Sequence, residues 1–248
     1  MSAVVLALVA GAVIGLALGA LGGGGSVLAV PALIYLLGFT PVAATTASLV
    51  IVSVTSGTAL FAHARDGRVQ WRTGLFFAAA GIGPAMLGGA LAGRLPAAAL
   101  TVAFAGVAVA AALPMLRRRP APGASAPVRP GRAAAAGAGL GTVTGVLGVG
   151  GGFLAVPALV NVVGLRMRAA VGTSLLVISV NSLAALALRA GTASGLDWSL
   201  IGPFAGAAVL GAWDGKRLSA KLPGAALQRV FALVLLAVAG FMLVDAVV

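Results

Sequence analysis

A chain of 248 residues that is 61% hydrophobic and 8% charged, with a mean hydropathy of +1.15, cannot dress a water-facing surface, which excludes a soluble globular domain and implies an integral membrane protein. The net charge of +12 comes from lysines and arginines in short loops between apolar segments, where they act as topology signals and argue against a nucleic-acid partner. The absence of cysteine leaves neither a disulfide framework nor a thiolate metal site.

In chain order, residues 3–20 form the first apolar segment. They have the character of a signal peptide, but no Lys or Arg precedes them and an equivalent segment lies inside the chain at 133–147, so they are expected to stay in the fold. Residues 21–33, LGGGGSVLAVPAL, break the run with glycines and restart it as a short apolar helix over 27–38. Twelve helical residues reach about 18 Å, short of a hydrocarbon core of about 30 Å. A re-entrant or angled piece is expected there. Residues 41–62 read as a full span with a polar stripe, 63–72 as a basic loop ending at Trp71, and 73–93 and 97–116 as two further spans. Residues 117–132, RRRPAPGASAPVRPGR, are a Pro-rich basic linker.

The second half retraces the first. LGVGGGFLAVPAL at 147–159 repeats the glycine stretch at an offset of 126, and segments over 133–147, 153–164, 168–189, 198–215 and 223–244 match those before the linker. Leu95-Pro96 recurs as Leu222-Pro223, and Trp71 as Trp198. The expected fold is an all-α integral membrane protein of two inverted-topology repeats, 1–116 and 133–248, joined by the linker 117–132. Each repeat holds a Gly-broken, re-entrant or angled helix pair and three spanning helices. Charge supports the inversion: an odd number of segments per half puts fourteen of the sixteen basic residues on one side, leaving only Arg94 and Arg189 opposite. That side is taken as the cytoplasm, so the linker is cytoplasmic, both termini are extracytoplasmic, and the protein belongs in a bacterial inner (plasma) membrane.

Inverted repeats with discontinuous helices in matching positions point to a transporter whose site lies near the midplane, between the halves. A restarting helix offers unpaired N–H groups to an anion, and glycine lets that anion approach the backbone. The candidate site residues are therefore Gly23, Gly24, Gly25 and Ser26 at the first break and Gly150, Gly151 and Gly152 at the second. Ser48, Thr55, Thr173, Ser174 and Asn181 join them from the polar stripes of 41–62 and 168–189. Ser48 with Thr55, and Ser174 with Asn181, are seven apart and share a helix face. The alternatives for these residues are turn-making by the glycines and back-bonding or helix-to-helix bonds by the hydroxyls. Asp214, three residues before Arg217, reads as an interfacial ion pair, with proton coupling as its second reading. His63 and Arg189 end equivalent spans at opposite edges and read as side chains snorkelling to the interface, with attraction of anions at a mouth as their second reading. The pairs Gly89 with Gly93, Gly202 with Gly206 and Gly211 with Gly215 read as helix packing.

With no Glu, one His and no paired Asp, the chain lacks the parts of a hydrolytic site. No catalytic residue, metal or cofactor is expected. The glycine run followed by LAVPAL in both halves, Gly172-Thr173-Ser174-Leu175, and the division into two halves resemble the sulfite exporter TauE/SafE family, also called the 4-toluene sulfonate uptake permeases. The first half departs from the pattern with Thr46-Ala47-Ser48-Leu49. The resemblance implies transport of sulfur-containing oxyanions such as sulfite, sulfonates or sulfoacetate. The expected partners are thus a small anionic substrate and the lipid bilayer, with a homo-oligomer left open. An anion channel and a non-transporting scaffold are the rival readings.

Topology is directly testable, because the natural chain has no cysteine. With single cysteines at Ser125→Cys and Ser194→Cys, an impermeant maleimide on intact cells is expected to label position 194 and not 125. Labelling of both from one side contradicts inverted halves.

Overall fold

The computed structural model describes residues 3–92, 96–117, 130–147, 152–188 and 196–247, and among them every regular element is helical. The first half holds α1 (Ala3–Leu21), α2 (Gly24–Pro31) running into a π-helical turn (Ala32–Leu36), α3 (Pro41–Arg65), α4 (Trp71–Ala92) and α5 (Ala97–Arg117). The second holds α6 (Pro130–Leu147), α7 (Gly152–Asn161), α8 (Met167–Leu188), α9 (Trp198–Lys221) and α10 (Gly224–Val247). Most boundaries fall within three residues of those read from sequence. The exceptions follow from local chemistry. The short helix begins at Gly24, and after Pro31, which has no N–H to continue the ladder, it widens into the π turn. The helix α9 runs to Lys221 rather than 215, and Arg168 closes its end by donating from Nη2 to the carbonyls of Ala220 and Leu222 at 3.3 and 2.9 Å.

Element ends obey ordinary capping rules. Thr40 precedes Pro41 at the start of α3 and accepts from the Ala43 N–H, while Asp197 accepts from the Ser199 N–H at the start of α9. The short arms stop at glycines 126 apart. Gly38 and Gly164 have φ +71° and +85°, and the N–H of the next residue reaches back six positions, Phe39 to the Leu33 carbonyl and Leu165 to that of Leu159. These are left-handed glycine ends one residue wider than a Schellman motif.

Among the described residues, length and composition allow five helical stretches to cross a membrane: Ala3–Leu21, Val42–Arg65, Ala99–Arg117, Met167–Ala187 and Gly224–Phe241. Large apolar side chains face outward along the bundle, Leu87 and Leu210 at 71% and 69% exposure among them, a surface suited to lipid and not to water. Because lipid is as apolar as the helices, burial of hydrophobic surface cannot hold such helices together. Close packing and hydrogen bonds must do so.

The packing is closest in two pairs that cross between the halves. Gly11, Gly15 and Gly19 of α1 lie on the backbone of Phe204, Ala208 and Ala212 of α9, and Gly211 and Gly215 of α9 lie on Ala12 and Leu16 of α1. Gly137, Gly141 and Gly145 of α6 lie likewise on Phe77, Gly81 and Ala85 of α4. The three glycines of α6 are those of α1 displaced by 126. In both pairs the numbers rise together, so each pair is parallel. By contrast, α3 and α8 are antiparallel, since Ser56 meets Ser179 while Arg68, just past α3, meets Gly172. Lys216 near the end of α9 meets Asp66 at the end of α3, so α3 runs parallel to α9 and hence to α1. The remaining pair, α5 and α10, joins the end of one to the start of the other through the Gln228 amide, which donates to the Met115 carbonyl at 2.8 Å.

The glycine pairs read from sequence divide on this point. Gly211 and Gly215 pack as expected. Gly202 and Gly206 do not: a Cβ on either meets nothing within 4 Å, because that face of α9 points away from the bundle. Gly89 lies in α4 without a described environment, and Gly93 lies outside the described residues. The contrast sets a prediction. Gly15→Leu and Gly141→Leu are each expected to cost about 3 kcal/mol or more, because a side chain there overlaps backbone that cannot give way. Gly202→Leu should stay within about 0.5 kcal/mol of the parent. Thermal unfolding in detergent micelles checks the three, and equal tolerance at 15 and 202 contradicts the packing.

Candidate functional site

The first break is made by backbone alone. Gly22 follows the last residue of α1 at φ +83°, and its N–H bonds the Leu18 carbonyl at 2.8 Å, a left-handed cap that a side chain would strain. Gly23, the residue before α2, supplies no side-chain cap. Gly24, Gly25 and Ser26 form the first turn of α2, whose N–H groups have no partner within the helix. Gly23 is pressed against the start of α7: a Cβ on it would overlap the Gly152 carbonyl and come within 2.8 Å of the Phe153 Cα. A Cβ on Gly22 would stand 2.5 Å from the Ser174 Oγ and 3.1 Å from the Val171 Cα. The structure thus brings Gly23, Gly152 and Ser174 together. Gly152 opens α7 and is buried, as is Phe153, while Gly150 and Gly151 lie outside the described residues.

The hydroxyls stand differently from the sequence-based expectation that they offer protons to an anion. Ser174 donates to the Val171 carbonyl at 2.8 Å, Ser48 to that of Thr45 at 2.8 Å, and Thr55 to that of Ile51 at 2.6 Å. A hydroxyl has one proton, so in this conformation these three present lone pairs outward. Thr173 accepts the Gln70 N–H at 3.1 Å, tying the loop 66–70 to α8 beside the break. Nothing in local spacing announces that bond, which joins residues 103 apart.

Further along the antiparallel crossing, Ser179 bonds Ser56 at 2.9 Å. The buried Ser53 Oγ and Asn181 Oδ1 there have no hydrogen-bond partner. A half-turn of the Asn181 amide presents its NH2 group there in place of the oxygen. Thr55 and Asn181 occupy equivalent positions of the repeat, as do Ser48 and Ser174.

His63 corrects its sequence reading. It does not snorkel to an interface. Because α3 continues to Arg65, the imidazole lies within the helix and turns inward, 1% exposed, with Nε2 3.2 Å from the Gly19 carbonyl oxygen. Gly19 is in the last turn of α1, whose carbonyls lack helical partners, so His63 caps α1 from outside it. Just past it, the Asp66 carboxylate bonds Lys216 at 3.1 Å and Arg68 at 3.4 Å, clasping α3 to α9. The hydrogen bond from Lys216 leads the causes that hold the Asp66 carboxyl below the usual carboxylate range. A depressed carboxyl contributes above its unfolded value and loses that contribution only as pH falls through the folded one. The clasp is therefore intact throughout the neutral range. Asp214 is not brought to the break. It pairs with Arg217 at 3.3 Å with both side chains largely exposed, which matches the ion-pair reading.

An all-helical, multi-pass membrane protein whose broken helices meet inside the bundle, amid buried polar groups, has the architecture of a transporter. The chain matches the model of the sulfite exporter TauE/SafE family over residues 7–242 and belongs to that family of membrane transporters. Two relatives from Xylella fastidiosa, strains 9a5c and Temecula1, each described as a probable membrane transporter protein, are 35% identical over 241 residues, which cover 92% of this chain and 90% of each relative. No solved structure matches.

The geometry ranks the break residues. Gly23→Ala is expected to abolish transport in membrane vesicles while leaving insertion intact, since backbone must move to admit the methyl group. Ser174→Ala should weaken apparent affinity less than about tenfold, because a hydrogen bond is worth about 0.5–1.5 kcal/mol net. The reverse order contradicts a site built on backbone.

Proposed function

We propose that the protein exports small sulfur-containing oxyanions, such as sulfite or a sulfonate, across the bacterial inner membrane. The anion binds near the midplane, where the first turns of α2 and α7 face each other. The single observation that carries this reading is the contact of Gly23 with Gly152 and Phe153, which joins two helix starts in one buried place. Helix N-termini attract anions, and two of them compensate a charge with no permanent buried cation. The Ser174 hydroxyl and the Asn181 amide complete the shell, the former by rotating its proton from the Val171 carbonyl to the anion. Ser48, Thr55 and Thr173 serve the same polar path. The family's own description names sulfite.

In this reading the halves 1–116 and 133–248 lie inverted in the membrane, with the linker 117–132 in the cytoplasm and both termini outside. The parallel course of α1 and α3 supports a chain that turns back within the membrane at α2, and the antiparallel course of α3 and α8 supports the inversion. Export is the favourable direction, since a negative interior supplies about 2.3 kcal/mol per elementary charge at 100 mV.

Proteoliposomes loaded with radiolabelled sulfite and given a potassium diffusion potential test the proposal. Saturable efflux is expected, faster with the interior negative than positive and stimulated by unlabelled anion on the far side. Linear, non-exchanging flux indicates a channel, and no flux for sulfite or any sulfonate overturns the anion reading.

A further inference from the structure

The first break has a titratable neighbour that the anion site does not use. His63 is the chain's only histidine, and among the described residues no other titratable side chain is buried to its degree. Its Nε2 is committed to the Gly19 carbonyl, which fixes the neutral ring as the Nε2–H tautomer. Its Nδ1 is buried with no hydrogen-bond partner, so a lone pair stands ready for a proton. Gly19 precedes Gly22 and Gly23 by about one helical turn, or about 5 Å. The charged groups that act on the ring are Asp66 and Arg68 on the following loop and Lys216 on α9. Asp66 is already shared between both cations, so it is not free to balance an imidazolium. In the 126-residue repeat the position equivalent to His63 is Arg189. One half thus carries a permanent cation where the other carries a group that titrates.

We propose that His63 is a proton site linked to the anion site: a proton on Nδ1 and an anion at the Gly22–Gly23 break bind cooperatively. This rests on the anion reading above. The proton comes from bulk water to Nδ1, the Nε2–H bond to Gly19 is kept, and the ring becomes a cation next to the break. Linkage is reciprocal, so the anion must favour protonation as much as protonation favours the anion. For unit charges several ångströms apart in a partly buried site the effect is on the order of tenfold. The carboxyl of Asp66, held below the usual range by Lys216, stays ionised in the window where an imidazole titrates and does not imitate the effect.

The single imidazole is its own probe. Full-length protein with 15N-labelled histidine, purified through a tag free of histidine and placed in nanodiscs, is titrated between about pH 5 and 8 with and without methanesulfonate, which stays singly charged throughout. The neutral Nε2–H tautomer is expected at the alkaline end and protonation at Nδ1 on acidification. Saturating methanesulfonate should raise the midpoint by about one pH unit, the counterpart of a tenfold gain in affinity. His63→Gln keeps an N–H donor for Gly19 without titrating, and its methanesulfonate affinity should be independent of pH where the parent's is not. An unmoved midpoint in the presence of bound methanesulfonate, or an unchanged pH dependence in His63→Gln, overturns the linkage and leaves the anion site standing. Failure of methanesulfonate and of sulfite to bind at any pH sinks the anion reading, and the linkage with it. Should His63→Gln not fold, the titration of the unaltered protein decides alone.

Discussion

Backbone lying on backbone where the first break meets the start of α7 is the constraint that the rest of the structure serves. Gly23 rests on Gly152 and Phe153 with no room for a Cβ. Irregular chain at that depth is tolerated only where protein surrounds it, because each unpaired backbone group in hydrocarbon is costly. The surrounding helices meet that demand. The ends of α1 and the start of α8 close on Gly22, and the glycine faces of α1 and α6 let their partners α9 and α4 approach without intervening side chains.

Polar groups inside the bundle are mostly bound to their own helix. Ser174, Ser48 and Thr55 satisfy their protons on the preceding turn, while longer side chains reach carbonyls of neighbouring helices. Asn161 donates to the Ala111 carbonyl near Pro114 in α5, and Gln228 donates to that of Met115. What is left unsatisfied is correspondingly informative. Buried polar atoms are nearly always paired, yet Ser53, Asn161 and Asn181 leave oxygens unpaired, the first and last of them on the α3–α8 crossing, and His63 leaves a nitrogen unpaired beside the end of α1. Ser53 and Asn181 lie where the two halves cross.

Much of this was legible in the sequence, for physical reasons. The glycine stretches announce themselves because no other residue supports such a turn, and helix boundaries are readable because Pro, Gly, Thr40 and Asp197 cap them by local rules. The duplicated register of Gly11, Gly15 and Gly19 in Gly137, Gly141 and Gly145 extends the repeat from composition to contacts. Other features could not be read. Whether a hydroxyl faces a ligand or its own preceding carbonyl is a rotamer, and rotamers leave no trace in spacing. The inward turn of His63 depends on an orphan carbonyl 44 residues away, and the Thr173 bond to Gln70 depends on how the halves interlock. Gly202 and Gly206 show the converse failure, since a four-residue spacing marks a smooth face without saying what covers it.

The antiparallel crossing of α3 and α8 packs the two halves against each other, and one side-chain pair reports it. In Ser56→Cys with Ser179→Cys, whose hydroxyls are 2.9 Å apart, mild oxidation in native membranes is expected to form an intramolecular disulfide, seen as a reducible mobility shift. Ser56→Cys with Thr173→Cys, displaced by six residues along α8, should stay reduced. A disulfide in the second pair and none in the first would contradict the arrangement on which the site depends.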